Sequence, residues 1–160
     1  MKVAVYPGSF DPITYGHMDI VKRALKVFDH LIILISVNPS KEAFFTGEER
    51  ADMVREVLKP CIDKIEVITS NKLSVKEAKR LGATHMIRGL RAMTDFEYEI
   101  QLTQTNRVLD KDIDSVFFMT SNKYSFLSST TVKEIALFKG DLGPFIPKYI
   151  EQKIKEKLKW

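Results

Sequence analysis

Short apolar runs alternate with amphipathic segments along this chain. Five runs rich in β-branched residues and leucine predict buried strands, at residues 3–5, 31–37, 65–69, 84–87 and 115–119. After the first run, apolar residues recur at helical spacing over residues 18–28, at Val21, Ala24, Leu25 and Phe28. The pattern therefore predicts strands that alternate with helices.

Capping signals place the later helices. Ser or Thr followed three residues on by Glu predicts helix starts at Thr46, Ser74 and Thr94. Gly82 and Gly140 are predicted to end helices. The predicted helices run over residues 47–58, from 74 to the stop at Gly82, over 94–109 and 132–138, and from Pro147 to the C-terminus.

Alternating strands and helices imply right-handed βαβ units. We therefore expect an α/β fold, in which residues 1–160 form a single domain. Its centre would be a Rossmann-like, doubly wound, five-stranded parallel sheet with helices on both faces. Ligands of such sheets bind beyond the carboxyl ends of the strands, where the strand order reverses. Polar or glycine-containing segments follow the predicted strands and should form one site: residues 9–17, Lys41, residues 88–91 and residues 125–130.

The loop after the first strand combines two prolines and two glycines with the start of a helix. Gly8 and Gly16 let backbone approach a ligand closely, and a helix start offers unpaired N–H groups and about half a positive charge. That combination suits a phosphate chain. Positive charge is disfavoured there, so His17 should be neutral and able to donate a hydrogen bond. The alternative is an ordinary strand-to-helix connection.

Further polar residues at the predicted rim also suit phosphate. Arg88 and Arg91 flank Gly89, and guanidinium groups bind phosphate oxygens in pairs. Lys41 follows the second strand. Hydroxyl groups cluster before a helix, at Ser125, Ser128, Ser129, Thr130 and Thr131. Each feature also has a simpler explanation: surface arginines, a solvated lysine, and a helix N-cap that needs only one hydroxyl.

Composition narrows the class of protein. The 160 residues are 44% hydrophobic and 29% charged, as in globular proteins, and the net charge of +4 is a mild basic bias. Cys61 is the one cysteine, which excludes an internal disulfide framework and a cysteine-based metal site. The longest strictly apolar run is residues 31–35, so we expect no membrane segment and a cytoplasmic location.

The sequence shows no series of nucleophile, base and acid. His30 and His85 lie at predicted strand entrances, and no Walker A, GxGxxG or HExxH motif occurs. What remains is a set of cations, hydroxyls and helix N-termini around one neutral histidine. Such a set can align two phosphates and stabilise charge on a transferring phosphorus, which favours nucleotidyl transfer.

Several motifs together resemble one family. Thr14-x-Gly16-His17, directly after the first strand, is similar to the (H/T)xGH motif of the nucleotidyltransferase superfamily. The whole chain resembles bacterial phosphopantetheine adenylyltransferases, and this resemblance implies that residues 1–160 form a single domain of nucleotidyltransferase type. The segments that carry this resemblance are Tyr6-Pro7-Gly8-Ser9-Phe10-Asp11-Pro12-Ile13-Thr14-x-Gly16-His17, Asn38-Pro39-Ser40-Lys41, Phe45-Thr46-x-Glu48-Glu49-Arg50, Ile87-Arg88-Gly89-Leu90-Arg91-Ala92-x-x-Asp95-Phe96-Glu97-Tyr98-Glu99 and Ser125-Phe126-Leu127-Ser128-Ser129.

The resemblance implies transfer of AMP from ATP to 4′-phosphopantetheine, which gives dephospho-coenzyme A and pyrophosphate in coenzyme A biosynthesis. It implies Mg²⁺ carried by the ATP phosphates, with no metal ligand from the protein. The implied partners are ATP and 4′-phosphopantetheine, without nucleic acid or membrane. The implied assembly is a homohexamer, a dimer of trimers.

The family pattern also implies roles for individual residues. The implied catalytic set is His17, Lys41 and Arg91, with His17 stabilising the pentacoordinate α-phosphate. The implied ATP-binding residues are Ser9, Phe10, His17, Gly89, Leu90, Arg91, Glu99, Tyr124, Ser125, Phe126, Leu127, Ser128, Ser129 and Thr130. The implied acceptor-binding residues are Ser9, Lys41, Leu73, Ser74 and Arg88, of which Lys41 and Arg88 hold the acceptor phosphate.

Two other functions stay open. Another small nucleotidyltransferase, such as a nicotinamide-mononucleotide adenylyltransferase or a glycerol-3-phosphate cytidylyltransferase, would keep the segment from Thr14 to His17. It has no reason to keep the segment from Arg88 to Glu99. A basic nucleic-acid-binding module would need clustered Lys and Arg with stacking aromatics on one surface. The mild net charge and the glycines at strand ends argue against that module.

Overall fold

Five parallel strands form the centre of the protein. The structure is a computed structural model that describes residues 1–160, without the side chains of residues 93 and 94. The strands are β1 (Val3–Gly8), β2 (His30–Ser36), β3 (Ile65–Ser70), β4 (His85–Leu90) and β5 (Asp114–Met119), in the spatial order β3-β2-β1-β4-β5. Neighbouring strands pair in parallel. This confirms the predicted five-stranded parallel sheet.

Helices cover both faces of the sheet. They are α1 (Tyr15–Ala24), α2 (Gly47–Val57), α3 (Ser74–Arg80), α4 (Met93–Leu109), α5 (Ser129–Leu137) and α6 (Lys148–Leu158). One buried cluster joins α1, α2, α5 and α6 to the sheet, through residues such as Ile20, Val54 and Ile150. A second cluster joins α3 to the sheet through Val75 and Ala78. Coverage on both faces confirms the doubly wound architecture and explains the apolar strands.

None of the helices in the described part of the chain has the length and apolar character needed to cross a bilayer.

The sheet opens between β1 and β4. β1 pairs with β2 along its whole length, from Val3 to Gly8, whereas its recorded pairs with β4 are Ala4–His85 and Val5–Met86. The strand order reverses at the same place, because β2 lies on one side of β1 and β4 on the other. The carboxyl ends of β1 and β4 therefore diverge and leave room for a ligand.

The capping motif in the sequence predicts the N-cap of α2 correctly and the N-cap of α3 incorrectly. The Thr46 hydroxyl accepts from the Glu49 N–H at 3.1 Å, and the Glu49 carboxylate accepts from the Thr46 N–H at 2.7 Å. Ser74, predicted as a cap, is instead the first residue of α3, and Leu73 occupies the cap position without a side-chain hydrogen bond. A capping signal read locally does not show how the preceding chain enters the helix.

The start of α4 differs from its prediction. α4 begins at Met93, and the Asp95 carboxylate accepts from the Ala92 N–H at 3.3 Å. The Thr94 side chain, which the sequence predicts to cap this helix, is not among the described side chains. Gly82 follows α3 with φ +73°, so its predicted role in ending that helix is confirmed.

β4 is longer than its apolar run predicts. The prediction ends this strand at Ile87 and places Arg88, Gly89 and Leu90 in a loop, which is wrong. All three residues lie in β4 and pair with residues 117–119 of β5. Backbone pairing with β5 continues past the apolar run, and a pattern within one strand does not reveal it. Arg88 is therefore held on the sheet itself.

Candidate functional site

A cavity of about 850 Å³ opens at the carboxyl ends of β1 and β4. Its walls come from the loop after β1, the segment after β2, the end of β4, one turn of α4 and the start of α5. The predicted site residues that line it are Ser9, Phe10, His17, Lys41, Arg88, Gly89, Arg91, Glu99, Leu127, Ser128, Ser129 and Thr130. The predicted segments therefore meet at one cavity.

Other predicted site residues lie away from the cavity wall. They are Leu73, Ser74, Leu90, Tyr124, Ser125 and Phe126. Leu73 and Ser74 lie at the start of α3, where Leu73 is 60% exposed, and Leu90 is buried in β4. Tyr124 stacks on Tyr15 with ring centroids 6.0 Å apart. Contacts between these residues and a ligand stay predictions.

The loop after β1 holds Phe10 in a strained conformation. Its φ of 48° lies in the left-handed region that residues other than glycine rarely occupy. The buried Phe10 ring lies 5.2 Å from the Tyr6 ring and 4.9 Å from the His17 ring, centroid to centroid. A Cβ at Gly8 would come within 3.0 Å of the Phe10 ring. Gly8 thus makes room for the Phe10 ring, and its predicted close approach to a ligand stays a prediction.

Thr14 and His17 cap α1 reciprocally. α1 begins at Tyr15, earlier than the apolar pattern predicts. The Thr14 N–H donates to Nδ1 of His17 at 3.0 Å, and the His17 N–H donates to Oγ1 of Thr14 at 3.5 Å. Because Nδ1 accepts a hydrogen bond, the proton of the neutral ring lies on Nε2. His17 therefore brings one N–H donor to the cavity wall.

The His17 ring is neutral at physiological pH. Burial and, secondarily, the positive charge of Arg91 lower the pKa of His17 from 6.5 to about 4. His17 is half-buried, and it lines the cavity. The lowered pKa keeps the ring in its neutral form, which can donate a hydrogen bond from Nε2. The neutral donor expected from the sequence is thus present.

An NMR titration of the His17 Cε1–H is expected to give a midpoint near pH 4. A lowered pKa means that the ring takes up a proton only below that pH, so it stays neutral from pH 5 upwards. Arg91→Gln removes one cause of the shift and should raise the midpoint. Arg23→Gln, at the far end of α1, should leave it unchanged. A wild-type midpoint at or above 6.5 would contradict this account.

Arg88 and Arg91 are each fixed by a neighbouring element. Nε of Arg88 lies 2.5 Å from Oε2 of Glu99, and its Nη2 lies 2.8 Å from Oε1. This two-point pair fixes the guanidinium plane, and Nη1 has no acceptor among the described residues. Arg91 donates from Nη1 to the Leu127 carbonyl at 3.0 Å and lies 3.4 Å from Asp95. Arg91 thereby joins the end of β4 to the segment before α5.

Hydroxyl groups at the start of α5 are divided between local structure and the cavity. The Ser128 hydroxyl accepts from the Thr131 N–H at 3.1 Å and caps the helix. The Ser129 hydroxyl donates to the Pro12 carbonyl at 2.8 Å, which holds α5 against the loop after β1. Thr130 is exposed where it lines the cavity. N-capping therefore accounts for Ser128 alone.

Asp11 holds the segment that contains Lys41 against the cavity. Its carboxylate accepts from the N–H groups of Phe44 at 2.8 Å and Phe45 at 2.9 Å. The Lys133 ammonium of α5 lies 3.4 Å from the same carboxylate. Sequence reasoning missed Asp11 and Lys133, because their partners lie far away along the chain. The one available signal was a charged residue inside the motif of residues 6–17.

Cations outnumber carboxylates along the cavity wall. The cationic side chains are Lys41, Arg50, Arg88, Arg91, Lys133 and Lys157, and the carboxylates are Asp11, Glu42 and Glu99. This excess suits a polyphosphate. Among the described side chains, no three His, Cys, Asp or Glu residues form a group that could hold a metal ion.

Comparison with known sequences shows that this chain matches a family model and known proteins over most of its length. A family model described as cytidylyltransferase-like matches residues 5–135. A phosphopantetheine adenylyltransferase of Lachnoclostridium phytofermentans is 51% identical over 157 residues, which cover 98% of this chain and 96% of that protein. A second protein of that name, from Caldanaerobacter subterraneus subsp. tengcongensis, is 46% identical over 159 residues, which cover 99% of each.

A solved structure shares the fold. It is the Plasmodium falciparum nicotinic acid mononucleotide adenylyltransferase complexed with NaAD. The TM-score is 0.69, over 98% of this chain and 95% of that chain, with 16% sequence identity. At that identity the likeness shows the arrangement of strands and helices alone.

Proposed function

The chain belongs to the phosphopantetheine adenylyltransferase family, and we propose that the cavity at the carboxyl ends of β1 and β4 is its active site. The protein is a nucleotidyltransferase of coenzyme A biosynthesis that transfers the adenylyl group of ATP to 4′-phosphopantetheine. One observation supports this location of the active site. A neutral N–H donor, His17, shares the cavity with Lys41, Arg88 and Arg91.

We propose a single in-line displacement. An oxygen of the acceptor phosphate attacks the α-phosphorus of ATP, and a new P–O bond forms. The bond from the α-phosphorus to the α–β bridging oxygen breaks, and pyrophosphate leaves with that electron pair. The attacking oxygen is already anionic, so no base is needed. His17 donates its Nε2–H to a non-bridging α-phosphate oxygen, where negative charge builds in the transition state.

ATP is proposed to lie along the loop after β1 and the start of α5. The Ser9 hydroxyl and the Phe10 N–H bind its phosphates, and the N-termini of α1 and α5 favour their negative charge. The complete proposed ATP set is Ser9, Phe10, His17, Gly89, Leu90, Arg91, Glu99 and residues 124–130. The alignment of the cavity with two helix starts supports this placement.

The acceptor is proposed to bind through its phosphate on Lys41 and Arg88. Glu99 holds one edge of Arg88, and Nη1 on the other edge is then directed to a phosphate oxygen. Lys41 adds a second cation from the segment after β2. The pantetheine arm would extend from the cavity towards Leu73 and Ser74 at the start of α3.

Mg²⁺ is proposed to enter with ATP, held by the phosphate oxygens, since the described residues offer no carboxylate cluster of their own. When bound, it shields the charge of the phosphates. We also propose a single domain, a cytoplasmic location and a homohexamer built as a dimer of trimers. Exposed apolar side chains such as Val108 and Phe138 support association of several copies.

Pyrophosphate release from MgATP with a panel of phosphorylated acceptors tests the proposed function. The panel contains 4′-phosphopantetheine, nicotinamide mononucleotide and glycerol 3-phosphate. Release with 4′-phosphopantetheine alone is expected. Release with nicotinamide mononucleotide instead would keep the fold and the chemistry at His17 but overturn the substrate. Release with none of the three would overturn the function.

Glu99→Gln separates two possible roles of Glu99. A carboxamide cannot accept both Arg88 donors, so Arg88 loses its fixed plane. The KM for the acceptor is expected to rise about tenfold, with a smaller change in the KM for ATP. Glu97→Gln, an exposed position on α4, should change neither constant. A rise confined to the KM for ATP would contradict action through Arg88 and favour a direct contact with ATP.

A further inference from the structure

Arg50 is a buried cation that joins three segments of the site. It lies in α2 and is 3% exposed. Its Nη1 donates to the carbonyl of Ser9 at 2.7 Å and to the carbonyl of Ser36 at 3.1 Å, and its Nε donates to the Thr46 carbonyl at 3.2 Å. These carbonyls belong to the loop after β1, the end of β2 and the cap of α2.

The charge of Arg50 is not neutralised by the protein. No carboxylate among the described side chains forms an ion pair with it, and its partners are backbone carbonyls alone. A buried charge without a counter-ion is costly and is seldom kept for stability. Arg50 lines the cavity, and among the described residues Nη2 has no acceptor. The charge is therefore available to an anionic ligand.

The bond to Ser9 fixes the peptide that precedes Phe10. A peptide unit is planar and trans, so a fixed carbonyl of Ser9 also fixes the direction of the Phe10 N–H. Within the described structure that N–H donates to no protein acceptor. Phe10 itself has φ of 48°, a conformation that persists only where the surroundings hold it. Arg50 holds the residue before Phe10 through the Ser9 carbonyl. Asp11, the residue after Phe10, is held by the bonds from the Phe44 and Phe45 N–H groups to its carboxylate.

We propose that Arg50 is a positioning residue that keeps the Phe10 N–H directed at the ATP phosphates. The inference rests on the proposed function, because it assumes that ATP phosphates bind at the loop after β1. Lysine at this position keeps the charge, but its single ammonium cannot reproduce the planar fork that spans three carbonyls.

Steady-state kinetics of Arg50→Lys and Arg50→Gln test the proposal. Both variants should lose about tenfold or more in kcat/KM for ATP, because a displaced phosphate loop misaligns the reacting atoms. The KM for 4′-phosphopantetheine should change less. Arg55→Lys is the matched control on α2, where the arginine pairs with Asp52, and it should behave as wild type. Wild-type kinetics in both Arg50 variants would overturn the proposal, as would an equal loss in Arg55→Lys.

The amide of Phe10 gives a second readout, which is measured on wild-type protein and on Arg50→Lys. Protein labelled with ¹⁵N-phenylalanine is titrated with the magnesium complex of adenylyl imidodiphosphate. The Phe10 N–H signal should shift downfield in wild type and shift less in Arg50→Lys. No shift in wild type would overturn the proposal even if the variants fail to fold. Wild-type protein without any adenylyl transfer would instead overturn the proposed function.

Discussion

His17→Ala is expected to lower kcat by about 10³-fold, the cost typical of removing one preorganised donor to a developing anion. The KM for ATP should stay close to wild type, because the donor acts on charge that appears only in the transition state. Burial, with the nearby charge of Arg91, keeps the ring neutral, and the bond from the Thr14 N–H to Nδ1 keeps its proton on Nε2. Initial rates with MgATP and 4′-phosphopantetheine measure both constants.

Two control variants distinguish the loss of the hydrogen-bond donor from a general effect of replacing a histidine. His30→Ala removes a histidine at the entrance of β2, far from the cavity, and should leave kcat unchanged. His17→Asn keeps an N–H donor and should retain more activity than His17→Ala. Near-wild-type turnover in His17→Ala would remove His17 from the reaction.

Lys41→Ala is expected to raise the KM for 4′-phosphopantetheine about 10- to 100-fold, the range for losing a hydrogen bond to a charged group. The KM for ATP should change far less, because Lys41 is proposed to bind the acceptor phosphate. A fall in kcat should accompany the change, since a poorly held phosphate is no longer in line with the α-phosphorus. Rates over a matrix of both substrate concentrations give the three constants.

Lys41→Arg and Lys26→Ala complete this test. Arginine keeps the positive charge and should recover part of the acceptor affinity. Lys26 is exposed after α1 and lies away from the cavity, so Lys26→Ala should match wild type. Unchanged acceptor KM and kcat in Lys41→Ala would place Lys41 outside the site.

Most of the fold could be predicted because its signals are local. Buried parallel strands produce continuous apolar runs, and Thr46 with Glu49 forms a cap within four residues of sequence. Errors arose where a partner distant in sequence decides the outcome. β4 extends to Leu90 because β5 continues to pair with it, and neither strand's own composition shows that.

The same distinction applies to the site. His17 and its cap with Thr14 lie within one turn, so the sequence alone predicts a neutral donor at a helix start. Arg50 and its bond to the Ser9 carbonyl join residues far apart in sequence, and no pattern in either segment reveals the contact. Glu99 was implied as an ATP ligand by resemblance, whereas its observed partner is Arg88. Its contact with ATP stays a prediction.

The central claim is that the cavity aligns two phosphates for direct transfer and forms no covalent bond to the adenylyl group. The stereochemistry at the α-phosphorus tests this claim most directly. ATP carrying sulfur at one non-bridging α-phosphate position is chiral at phosphorus, and the configuration of the thiophosphate product can be read by ³¹P NMR. One in-line displacement inverts that configuration, and inversion is the result the account predicts. Retention would require two displacements through an adenylyl group bound to the protein, and it would contradict the account.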